Sequence, residues 1–91
     1  MTDKTKLEDS LCEKAIRRWE SLNKQAAVDA EDVNLTFPQP NLIRVMDRAL
    51  LNLTSCRRLS LSGNCIEHMI PLQGLASLKV LVLTRNDIRR I

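Results

Sequence analysis

The sequence predicts an α/β fold, a solenoid of short parallel strands behind an N-terminal helical cap. Three observations carry this: a 22-residue pattern that occurs twice, an apolar-x-apolar pair inside each copy, and an amphipathic stretch ahead of both.

Residues 1–32 read as the cap. Leu7, Leu11, Cys12, Ala15, Ile16, Trp19 and Leu22 recur at threes and fours, the spacing of one helix face. Thr5-x-x-Glu8 has the form of a capping box. Glu13 with Arg17 and Glu20 with Lys24 stand at i,i+4 in the favourable order, each adding roughly 0.2–0.5 kcal/mol. Such a helix is charged outside and apolar on one side. It suits the hydrophobic end of a solenoid, which needs a polar-faced cover, with Trp19 as the main anchor.

Residues 33–91 read as coils. An irregular first coil spans 33–49: Val33-Asn34-Leu35 has the strand pattern, a loop bounded by Pro38 and Pro40 follows, and no asparagine occupies the expected turn. Ile43, Met46, Leu50 and Leu53 are spaced for a longer helix before the first full repeat. Full repeats occupy 50–71 and 72–91. In the first, Leu50, Leu53, Cys56, Leu59, Leu61, Asn64, Ile66 and Met69 hold the structural positions. A shift of 22 gives Leu72, Leu75, Leu78, Leu81, Leu83, Asn86, Ile88 and Ile91. A period of two turns Leu59 with Leu61, and Leu81 with Leu83, to one face of a strand. The following asparagine can bond backbone groups of its own coil and its neighbour. Pro71 suits the first turn of a short helix in PLQGLASL. Together these positions form a leucine-rich repeat, whose coils bury their leucines only by stacking. Ile91 takes the last structural position with no cap after it, so a product truncated at the C-terminus is expected, its open coil otherwise facing a partner or a second copy.

Composition excludes several classes of function. Aromatics are 2% of the 91 residues, so base stacking has almost nothing to work with and nucleic acid is not an expected partner. No apolar run spans a membrane, and MTDKTKLEDS lacks a signal-peptide core, which places the chain in the cytoplasm and off membranes. Cys12, Cys56 and Cys65 are odd in number and read as reduced thiols. Cys56, Cys65 and His68 match no zinc spacing, so no metal is expected. Only Gly63 and Gly74 are available for a phosphate loop, and no nucleophile stands beside a base. Neither a cofactor nor enzymatic activity is expected. Charge is uneven: residues 1–32 carry six Lys/Arg against eight Asp/Glu, and residues 33–91 eight against three. Arg17 with Arg18, Arg57 with Arg58, and Arg85 with Arg89 and Arg90 could meet acidic segments of a partner.

The residues flanking the inward leucines point to the outer face of the sheet, the usual binding surface of a solenoid. They are Arg58, Ser60 and Ser62, then Val80, Val82 and Thr84, with Asn34 and Thr36 extending the rows. Val80 and Val82 make an apolar patch beside a basic residue, the composition of a binding core with a polar rim.

From Lys14 to Ile91 the chain also resembles the leucine-rich-repeat light chains of axonemal outer-arm dynein. The matching segments are KAIRRWESL, EDVNL, the proline loop and, most specifically, VMDRALLNLTSCRRLSLSGNCIEHM. The resemblance implies an N-terminal helix, a solenoid with further repeats and a C-terminal helical cap. It also implies binding to a dynein heavy chain near its microtubule-binding region, with tubulin close by, and control of ciliary or flagellar beating in the axoneme. Two other readings of the repeat stay open: a regulatory subunit of a protein phosphatase, and a spliceosomal RNA-associated protein.

Overall fold

The computed structural model describes residues 11–37 and 42–88, which form one long helix and a small parallel sheet around a shared aliphatic core. Thr5, Leu7, Glu8, the proline loop at 38–40 and Arg89 to Ile91 lie outside the described residues.

Helix α1 runs Cys12–Asn23 and buries Cys12, Ala15 and Trp19, with Ile16 half-buried beside them. Its start is held from a distance. Asp47 Oδ1 accepts the Cys12 N–H at 2.6 Å, the task of an N-cap side chain, while Leu11 itself offers no side-chain bond. At the other end Lys24 adopts the left-handed conformation, φ 53°, and donates its N–H to the Glu20 carbonyl at 2.8 Å. The Glu13–Arg17 pair forms at 3.4 Å on the exposed side. Glu20 does not pair with Lys24. Its carboxylate accepts the Ala27 N–H at 2.9 Å and so starts the 3-10 turn η1, Ala27–Asp29. Leu22 departs from the expected stripe and is 69% exposed. At about 100° per residue it falls roughly 70° from the centre of the buried face, and it stands in the last turn.

Among the described residues the sheet has three strands, β1 (Asp32–Asn34), β2 (Arg58–Ser60) and β3 (Val80–Val82), parallel and in the order β1-β2-β3. Val33 pairs with Leu59 and Leu59 with Leu81, so the strands lie 26 and 22 residues apart. Hydrogen bonds continue the ladder beyond the strands: Leu35 N–H to Ser60 O and Leu61 N–H to Val82 O, both 2.9 Å. Val33, Leu35, Leu59 and Leu61 are buried, whereas Leu81 and Leu83 on the outermost described strand are half-buried. Alternation explains which side is which on β1 and β2, where only one face is apolar; β3 is apolar on both faces and takes its orientation from its register with β2.

Two asparagines tie the turns together. Asn64, buried, accepts the Ile43 N–H at 2.8 Å and donates to the carbonyls of Leu35 at 3.2 Å and Leu61 at 2.9 Å. Asn86, 22 residues on, accepts the Ile66 N–H at 3.0 Å and donates to Leu61 O at 2.8 Å and Leu83 O at 3.2 Å. A buried amide is tolerable because both its ends are bonded.

Two expected helices are replaced by tighter structure. The spacing from Ile43 to Leu53 yields only a 3-10 turn, η2, over Arg48–Asn52. Upstream of it Val45 forms a parallel bridge with Leu11, which holds that segment extended. Among the described residues after Pro71 there is no helix. Two tight turns close through Leu75 N–H to Leu72 O and Leu78 N–H to Leu75 O. Pro71 lacks a donor and Gly74 has low helix propensity, so consecutive turns win over a continuous helix. The helix and sheet meet in one cluster that includes Trp19, Ala27, Ile43, Met46, Leu50, Leu53, Cys56, Ile66 and Leu75.

Candidate functional site

The outward side chains of the sheet fall into three rows set by the register. Asp32, Arg58 and Val80 form the first, and Asn34, Ser60 and Val82 the second. Thr36, Ser62 and Thr84 form the third, tied by Thr36 Oγ1 donating to Ser62 O at 2.8 Å and Gly63 N–H donating to Thr84 O at 2.9 Å. All eight side chains expected on this face therefore come together. Asp32 joins them as a residue the sequence reading left in the cap. Its signal was the period of two, since it stands two before Asn34 on the same strand.

The face is not uniform. Val80 is 44% exposed, and Val82 beside it is half-buried. Across from them Asp32 and Arg58 bring one charge of each sign. Asn34 and the serine row are partly committed to their own backbone: Asn34 Oδ1 accepts the Thr36 N–H at 3.1 Å and Ser60 Oγ the Ser62 N–H at 3.5 Å. This leaves an apolar strip on β3, flanked by polar and charged side chains on β1 and β2. Chemically it can bury an apolar anchor and hydrogen-bond around it.

The basic clusters do not form one surface. Arg17 is paired with Glu13, whereas the Arg18 guanidinium lies 5.5 Å from the centre of the Phe37 ring, in cation–π range. Arg58 belongs to the sheet face, and Arg57 precedes it at the strand's N-terminal edge. Arg85 sits in a turn at φ 58°.

The thiols of Cys12 and Cys56 are poorly suited to chemistry because both are buried. Burial pushes Cys12 up to about 12, and burial also raises Cys56. Cys56 donates to the Arg58 carbonyl at 3.2 Å, while Cys65 is partly accessible. Among the described residues no three His, Cys, Asp or Glu side chains converge, and no helix is long and apolar enough to cross a membrane.

No protein-family model matches the chain. Over 77 residues, 85% of its length, it is 44% identical to Dynein axonemal light chain 1 of Ciona intestinalis and 46% identical to that of Danio rerio. The protein of that name from Homo sapiens is 40% identical over the same extent. The chain spans about 40% of the length of these relatives. They lend no support to a phosphatase-regulatory or a spliceosomal reading.

Proposed function

We propose, from its homology to axonemal dynein light chain 1 proteins over most of its length, that this chain is a non-catalytic dynein light chain. It works by binding alone. The exposed sheet face docks a dynein heavy chain, with Val80 and Val82 as the apolar centre and Asp32, Arg58 and Asn34 at its rim. Docking close to the microtubule-binding region would bias the motor's grip on tubulin, and the site of action is the axoneme of a cilium or flagellum. The single observation that carries this reading is the 40–46% identity to proteins of that name in animals as distant as a tunicate and a fish.

The same reading makes the fold a leucine-rich-repeat solenoid, with the cap over 1–32 and coils over 33–49, 50–71 and 72–91. Support comes from the repeated pairing of Leu59 with Leu81 and from the matching bonds of Asn64 and Asn86. Parallel strands with a full crossover between each pair, every coil tied to the next, are the geometry that stacking requires.

The test is recovery of tagged chain from a high-salt extract of demembranated axonemes. Dynein heavy chain on the beads, lost when Val80 and Val82 are both changed to Asp, is the expected result. A phosphatase catalytic subunit recovered without dynein would overturn the reading.

A further inference from the structure

The 22-residue period repeats more than leucines. Ser55-Cys56-Arg57 and Ser77-Leu78-Lys79 occupy the same place in successive copies, just before β2 and β3. Side chains of Ser55, Arg57, Ser77 and Lys79 line one cleft of about 500 Å³ at the N-terminal edge of the strands, with Ala76 and Glu31 completing it. Arg57 and Lys79 are exposed, and Ser55 is half-buried. The edge is distinct from the sheet face, because these residues precede the outward rows in the chain.

We infer that this cleft is an anion site for the side-chain carboxylates of an acidic peptide segment on a partner protein. Two cations against one carboxylate leave a local charge of +1, and two hydroxyls add neutral donors. An arginine fork and an ammonium on neighbouring coils can hold one carboxylate from two sides. The backbone argues against phosphate. Phosphate sites draw on clusters of free amides, and here the N–H groups of Arg57 and Arg58 are given to Glu31 O, while those of Lys79 and Val80 are given to Arg57 O. With the amides at the strand edge spent on the ladder, the charge for binding comes from the Arg57 and Lys79 side chains, which suits singly charged carboxylates. Glu31 sets an upper limit on the charge the cleft accepts. The inference stands apart from the dynein reading, since neither the ligand chemistry nor the residues are shared with it.

Binding of a fluorescein-labelled ten-residue polyglutamate peptide to the 91-residue chain tests the inference by anisotropy, with polyglutamine as the neutral control. The expected result is saturable binding to polyglutamate alone, weakened at least tenfold in the double variant Arg57→Gln/Lys79→Gln and strengthened severalfold by Glu31→Gln. The double variant Arg44→Gln/Arg48→Gln removes the same charge elsewhere and should leave affinity within twofold. Equal weakening in the two double variants would reduce the effect to net charge and overturn the site, as would no binding at all. Competition by inorganic phosphate at lower concentration than by acetate would overturn the carboxylate preference.

Discussion

Replacing Asn64 by Ala removes four hydrogen bonds, but the cost is set by what is left behind, and the Ser62 carbonyl keeps Thr36 Oγ1 as a donor. The Leu61 carbonyl keeps a partner in Asn86 Nδ2, at 2.8 Å. The Ile43 N–H and the Leu35 carbonyl do not, and both residues are essentially inaccessible to water. Each buried orphan costs about 1–3 kcal/mol, so the loss is roughly 4 kcal/mol. That compares with a total of about 5–14 kcal/mol for a chain of this length, and lowers Tm by about 15–30 °C. Asn86→Ala is the internal control. It strands the Ile66 N–H, but its other neighbour, Leu83, is half-exposed and its carbonyl can find water, so about 2 kcal/mol is expected. The assay is guanidinium unfolding followed by the fluorescence of Trp19, the only tryptophan, which is 6% exposed and will report loss of the core. A loss under about 1 kcal/mol for Asn64→Ala, or an equal loss for both variants, would refute the reasoning about orphaned groups.

Other outcomes follow from the same structure. Leu61→Asp should abolish the folded state, because it places a carboxylate at a fully buried position, whereas Leu83→Asp should be milder and Val82→Asp should leave the unfolding midpoint close to wild type; equal losses in all three would mean that the sheet faces are reversed. Asp47→Ala should remove about 1 kcal/mol by uncapping α1, measured as reduced helical ellipticity at moderate denaturant. Gly63, at φ 73°, and Arg85, at φ 58°, hold the same left-handed position in successive repeats. Gly63→Ala should therefore destabilise by about 1 kcal/mol and Arg85→Gly should stabilise by roughly 0.5 kcal/mol, both read from chemical unfolding. The Cys12 thiol is pushed up from 9.0 to about 12 by burial, so the folded state holds its proton where the unfolded state loses it. Stability from this group is complete below pH 9 and is lost as pH rises toward 12, with a slope of up to about 1.4 kcal/mol per pH unit. Cys12→Ala should flatten that slope, and an unchanged slope would assign the alkaline loss to other groups.

The parts of this fold that were legible in the sequence are those fixed by local period. Leu59 with Leu61 and Leu81 with Leu83 announce strands by alternation, and the shift of 22 gives their pairing. Val33 declares the irregular first strand in the same way. What escaped depends on distance or on competition. The cap of α1 comes from Asp47, 35 residues along, and no local pattern can reveal it. The bridge between Leu11 and Val45 has the same character. Between Ile43 and Leu53, and after Pro71, threes-and-fours spacing reports burial along a tightly turning backbone as readily as along a helix. The sheet-face rows followed from alternation once the leucines were placed inward. Asp32 stands one residue ahead of the apolar-x-apolar pair Val33 and Leu35 that marks the strand, so the pattern does not include it.

The proposed seat of a dynein heavy chain is the valine strip of β3. Equilibrium binding of the purified chain to purified outer-arm heavy chain, with and without Val80→Asp and Val82→Asp, tests it most directly. At least a tenfold loss of affinity with an unchanged unfolding midpoint is predicted. Undiminished binding by a folded double variant would contradict it and move the interface off the sheet.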